Sequence, residues 1–110
     1  MPTPLRSVRS PDGALVLQLF EEDDYCLGFE GQSWHIHGDM LVPEYGETPR
    51  EAASAFFESV VADEQPICVS ERHGRKTEIW VTDDPDKELK YLEPGESLLV
   101  RYWSGKPHVV

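Results

Sequence analysis

The chain has 110 residues, of which 39% are hydrophobic, 10% aromatic and 28% charged, and 10 basic against 21 acidic side chains give a net charge of −11. That length fits one domain over residues 1–110, and its 3 tryptophans argue against a disordered chain. The charge repels phosphate backbones and so argues against nucleic acid, while no apolar run approaches the ~20 residues that cross a bilayer. The acids are not evenly spread. Residues 12–64 hold thirteen acids and a single base, Arg50, whereas residues 65–110 hold eight acids and seven bases. Met1 to Ser10 is polar, with two prolines and two arginines, and lacks a signal-peptide pattern. The expectation is a soluble, acidic, cytoplasmic domain.

Leu15 to Phe20 (LVLQLF) reads as a buried strand opened by the turn Pro11-Asp12-Gly13. The cluster Glu21-Glu22-Asp23-Asp24 makes a solvated turn. Tyr25 to Glu30 follows as a second strand, with Tyr25, Leu27 and Phe29 on one face. Gly31-Gln32-Ser33 turns the chain again, and Trp34 to His37 is a short extended piece. From Gly38 to Glu47 the sequence reads as a loop, broken by Pro43 and Gly46.

The one helix has the clearest local signature. Thr48-Pro49-Arg50-Glu51 is a capping box with proline at the first helical position. Ala52, Ala53, Phe56, Phe57, Val60 and Val61 recur at helical spacing, which predicts a helix from about Pro49 to Ala62. Arg50, Ser54 and Glu58 fall on its exposed side. Ile67 to Arg72 and Thr77 to Thr82 are strands flanking a turn at His73-Gly74-Arg75-Lys76. Asp83 to Glu88 reads as a polar turn containing Pro85, and Lys90 to Leu92 as a short strand or bridge. After the turn Glu93-Pro94-Gly95-Glu96, Ser97 to Trp103 is the last strand. Its two apolar faces predict a central position or a covered edge. The order β-β-(β)-α-β-β-β predicts an α+β fold, with four to six antiparallel strands and one amphipathic helix on one face.

Cys26 and Cys68 each lie in a hydrophobic run and read as buried free thiols, and no zinc spacing of cysteines exists. The segment Trp34-His35-Ile36-His37-Gly38-Asp39 stands out. In a strand His35 and His37 point to the same side, where both imidazoles can face one zinc ion, with Asp39 adding a carboxylate. The spacing resembles the opening HxHxD of the metallo-β-lactamase motif, although Met40 stands where that motif has its next histidine. His73 or His108 would have to supply a third imidazole. The bland alternative is a strand end whose imidazoles bond to turn backbone. No nucleophile elbow, phosphate-cradling glycine loop or calcium loop is present, so the sequence carries no positive sign of catalysis.

The WHxHGD segment, the single capped helix and the closing Arg101-Tyr102-Trp103-Ser104-Gly105 resemble small bacterial domains of the polymorphic-toxin immunity type. That resemblance implies a compact, acidic, non-catalytic protein that occludes a partner's active site. Together with the charge, it leads to the expectation of a domain that engages a basic protein. Glu21, Glu22, Asp23, Asp24, Trp34, Glu44 and Glu47 are the candidate contact residues. The alternative is a metal-binding protein or metal-dependent hydrolase using His35, His37 and Asp39. A third reading is a domain that pairs with a second copy through exposed strand surface.

Overall fold

The computed structural model of the protein describes residues 3–72, 75–90 and 92–108. Leu15, Leu17 and Leu19 alternate with Val16 and Gln18, and the three leucines are buried. This period of two forms strand β2 (Val16–Leu19). It pairs antiparallel with β1 (Arg6–Arg9) on one side and β3 (Leu27–Phe29) on the other, and β4 (His35–Ile36) completes a four-stranded meander. Leu17 lies opposite Phe29, Leu19 opposite Leu27, and Leu27 opposite Ile36, so one face of β2, β3 and β4 is apolar, while on β1 Val8 and Arg6 stand opposite Leu17 and Leu19. β1 lies in the segment read from sequence only as polar. Arg6, Ser7 and Arg9 are exposed, so no alternation announces it, and its backbone ladder to β2 holds it at the sheet edge.

The second sheet has three antiparallel strands, in the order β6-β5-β7: β5 (Ile67–Arg72), β6 (Arg75–Val81) and β7 (Glu96–Arg101). Ile67, Cys68, Val69 and Ser70 are all buried, as a strand covered on both faces must be. Of the turn expected at 73–76, His73 and Gly74 lie outside the described residues. β7 is an edge strand rather than the central one, and it is covered only at its C-terminal end. The returning chain bonds to it, with His108 N–H on the Val100 carbonyl at 2.9 Å and a bridge between Arg101 and Pro107. Its middle is open: Leu99 is 54% exposed.

The main helix runs over Pro49–Val61 with Ala62 as its C-cap, and the Thr48 hydroxyl accepts the Glu51 N–H at 3.2 Å, as the capping pattern predicts. Ala52, Ala53, Phe56, Phe57 and Val60 are buried, while Arg50, Ser54 and Glu58 are exposed. Each phenylalanine so buried stabilises the fold by about 1.5–3 kcal/mol. Arg6 ties the β1 edge to this helix. Its guanidinium carbon sits 4.3 Å from the centroid of Phe57, and it pairs with Glu58. The fold is thus α+β with antiparallel strands and one main helix, the strands dividing between two sheets. One core joins Leu17, Leu27 and Phe29 of the first sheet, Ile67, Val69 and Ile79 of the second, and Phe56, Phe57 and Val60 of the helix. No helix among the described residues is long and apolar enough to cross a membrane.

Four local expectations are corrected. The polar turn at Asp83–Glu88 is instead the start of a short helix, Pro85–Lys90. Asp84 caps it by accepting the Lys87 N–H at 3.2 Å, and Pro85 occupies the first helical position rather than a bend. Lys90 ends that helix, and Tyr91, the middle of the expected bridge, lies outside the described residues. The loop after β4 begins with a 3-10 turn, Gly38–Leu41. Tyr25 does not belong to β3. It closes a left-handed turn over Glu22–Tyr25 in which Asp23 (φ 54°), Asp24 (φ 58°) and Tyr25 (φ 64°) all have positive φ.

Candidate functional site

That left-handed turn is the first component of the site. Three successive non-glycine residues at positive φ cost roughly 1–2 kcal/mol each in steric strain. Aspartate tolerates the conformation better than most residues, which suits the sequence Asp23-Asp24 to it. Neighbouring contacts keep the turn in place. The His37 imidazole bonds the Asp23 carbonyl through Nδ1 at 2.9 Å. Gly38 packs so tightly against the Asp24 carbonyl that a β-carbon there would lie 2.6 Å from it. The absence of a side chain at Gly38 therefore brings the acidic turn, the 3-10 turn and the first turn of the main helix together.

Beside this turn is a cleft of about 360 Å³. Trp34 and Ile36 contribute from the β4 region, Met40 and Leu41 from the 3-10 turn, and Phe56 from the main helix. Val81 and Thr82 come from the end of β6, and Glu88 from the short helix. Glu44, Tyr45, Gln65 and Asp83 complete it. The aromatic rings are mutually braced: Tyr45 meets Phe56 edge-on with centroids 5.1 Å apart, and Trp34 lies 5.8 Å from Phe29. Gln65 donates to the Tyr45 hydroxyl at 2.8 Å and to the Ser59 hydroxyl at 3.1 Å, which leaves its carbonyl oxygen as an acceptor. Thr82 donates to Glu88 at 3.3 Å and holds that carboxylate beside the cleft.

Met40, 67% exposed, borders both this cleft and a shallower depression formed with Asp23, Asp24, His37 and Asp39. The two hollows therefore form one continuous face. Among the described residues it carries six carboxylates, those of Asp23, Asp24, Asp39, Glu44, Asp83 and Glu88, and neither lysine nor arginine. Among the described residues the salt bridges fall to Glu58, Glu93, Glu96 and Asp12, so none of the six is neutralised by one. A hollow lined by one sign of charge over low-dielectric walls focuses its field outward and attracts cations.

Of the contact residues expected from sequence, the fold brings Trp34 and Glu44 into the cleft and places Asp23 and Asp24 beside it. Glu21 and Glu22 are exposed on the approach to the left-handed turn, and Glu47 is exposed just before the helix cap; these three line neither hollow. Sequence reasoning missed Tyr45, Phe56, Gln65, Asp83 and Glu88 as site residues. Phe56 reads as pure core, and the two acids read as turn residues. The Asp84-Pro85 capping pair was the signal that a helix, and with it Glu88, is held in a fixed place.

The histidine pair has a different outcome. The rings of His35 and His37 lie 4.9 Å apart, edge to face. The Nδ1 of His35 bonds the Ser33 carbonyl at 3.0 Å, as that of His37 bonds Asp23, so both rings are tied to turn backbone. Among the described residues no group of three or more His, Cys, Asp or Glu side chains is placed to hold a metal ion. His108 bonds the Tyr102 hydroxyl at 3.0 Å, and His73 lies outside the described residues. Both cysteines are free. Burial pushes the Cys68 thiol up to about 12, and burial with the nearby Asp23 charge raises Cys26, so neither is a ready nucleophile. Compared with protein families, curated proteins and solved structures, the chain matches none of them.

Proposed function

We propose that this protein is a small acidic binding domain that engages a basic protein partner, in the manner of an immunity-type inhibitor. One observation carries the reading: a face with six carboxylates and, among the described residues, no basic side chain, beside a cleft lined with aromatic residues. Aromatic side chains supply contact area at low entropic cost, and uncompensated charge steers an oppositely charged partner into register. The strained left-handed turn adds to the reading, because strained backbone gathers at contact surfaces. Two free thiols fit a reducing compartment, which supports a cytoplasmic setting.

The test uses the whole chain and an arginine-rich peptide as a model basic partner. Affinity should fall as salt rises, and reversing Asp23, Asp24 and Glu44 to lysine together should weaken binding at least tenfold. Reversing Glu78 and Glu96, which border a separate depression beside Trp80, should change it little. Binding that ignores salt, or that responds equally to both sets of reversals, overturns the reading.

A further inference from the structure

We infer that the cleft is a socket for one arginine side chain of the basic partner. This rests on the binding reading above and names the chemistry of its centre.

Several features of the cleft select for a planar cation on a hydrocarbon stem. The half-buried Trp34 and Tyr45, the latter backed by Phe56, offer aromatic surface over which a guanidinium stacks better than an ammonium. Glu44 comes from the loop after the 3-10 turn and Asp83 and Glu88 from the end of β6 and the short helix, and among the described residues these carboxylates do not converge as a metal-ligand set would. A guanidinium has five N–H donors in a fixed fork and can serve dispersed acceptors, whereas an ammonium concentrates its charge on one atom. The Gln65 carbonyl adds a neutral acceptor, oriented because its amide nitrogen is already committed to Tyr45 and Ser59.

Other occupants fit less well. An anion meets three carboxylates. A neutral apolar group fills the aromatic part but leaves those carboxylates partly desolvated without a partner, which costs free energy. A bare metal ion lacks a convergent ligand set among the described residues. The socket is also held in shape before binding, by the Tyr45–Phe56 ring contact, the Thr82–Glu88 hydrogen bond and the Asp84 cap of the short helix. Such preorganisation lowers the cost of association.

The experiment is an NMR titration of the isotope-labelled full chain with N-acetyl-arginine methylamide, its lysine and norleucine counterparts, and the arginine-rich peptide. The arginine derivative should shift the Trp34 indole and Gln65 side-chain amide signals, saturating on the order of millimolar as suits so small a ligand. The lysine derivative should bind at least threefold more weakly, and norleucine should leave those signals unmoved. Glu44→Gln, an exposed loop substitution that leaves the core untouched, should weaken arginine binding several-fold, and the triple variant with Asp83→Asn and Glu88→Gln at least tenfold. If the peptide binds through Asp23 and Asp24 while the arginine derivative leaves the cleft signals unchanged, the socket is wrong and the binding reading survives. Equal binding of lysine and arginine also overturns the socket. If neither the derivative nor the peptide binds, both readings fall.

Discussion

Asp12 and Arg101 lie 89 residues apart in the chain, and their side chains meet at 2.7 Å. Arg101 is almost fully buried, its side chain 8% exposed against 38% for Asp12. Its other donors reach the carbonyls of Tyr102 and Trp103, both at 3.0 Å. The pair fastens the turn before β2 to the end of β7, and so joins the two sheets near both ends of the chain. Replacing Arg101 with alanine removes these charged hydrogen bonds and should cost about 2 kcal/mol, read by urea denaturation.

The same contact has a pH signature. The Arg101 guanidinium, with Ser10 and the Ala14 N–H, holds the Asp12 carboxyl well below the usual carboxylate range. A carboxyl depressed in the folded state contributes stability that is complete above its unfolded value, near 4, and lost as pH falls toward its folded value. Asp12→Asn should therefore be less stable than the native chain at pH 7. The gap between the two should narrow as pH drops below about 4. A gap that stays constant into strong acid would contradict the pairing.

Gly38 is confined by backbone on two sides, with the Asp24 carbonyl 2.6 Å from where a β-carbon would stand. Gly38→Ala must push the acidic turn or the helix start aside, because backbone cannot rotate away as a long side chain can. A loss of about 1–3 kcal/mol is expected, the usual scale for overpacking. Arginine-rich peptide binding at a temperature where the variant remains folded should weaken as well, since Asp23 and Asp24 move with the turn.

Asp24 sits at φ 58°, where glycine is at ease and β-branched residues are not. Asp24→Gly should leave stability unchanged or raise it by up to ~1 kcal/mol, while Asp24→Val should lower it by more than ~1 kcal/mol. Thermal denaturation of the two variants beside the native chain measures the difference. Two losses of similar size would argue against a left-handed turn here.

Cys68 is fully buried in the central strand, with its thiol pushed up to about 12, and Cys26 is half-buried with its thiol raised. Thiol labelling of the native protein at pH 8 should leave Cys68 unmodified and modify Cys26 slowly. Both should react at once in denaturant.

Local pattern was sufficient wherever one short segment settles its own conformation. The alternating leucines of β2 and the Thr48–Glu51 cap with its apolar stripe are of this kind, because a period of two or 3.6 and a cap bond within four residues need no distant partner. Acidic excess in residues 12–64 was equally plain from composition. What the tertiary structure decided is which of those acids share a face. Glu44, Asp83 and Glu88 are separated by up to 44 positions and meet only because β4, the main helix and the end of β6 converge on one hollow. Strand β1 has no hydrophobic alternation to reveal it, and the positive φ values of Asp23 to Tyr25 depend on contacts from His37 and Gly38. In this protein the sequence by itself determined β2, the main helix and the net charge, whose signals are local. The packing of those elements determined the cleft, because a binding site is a property of side chains brought together in space.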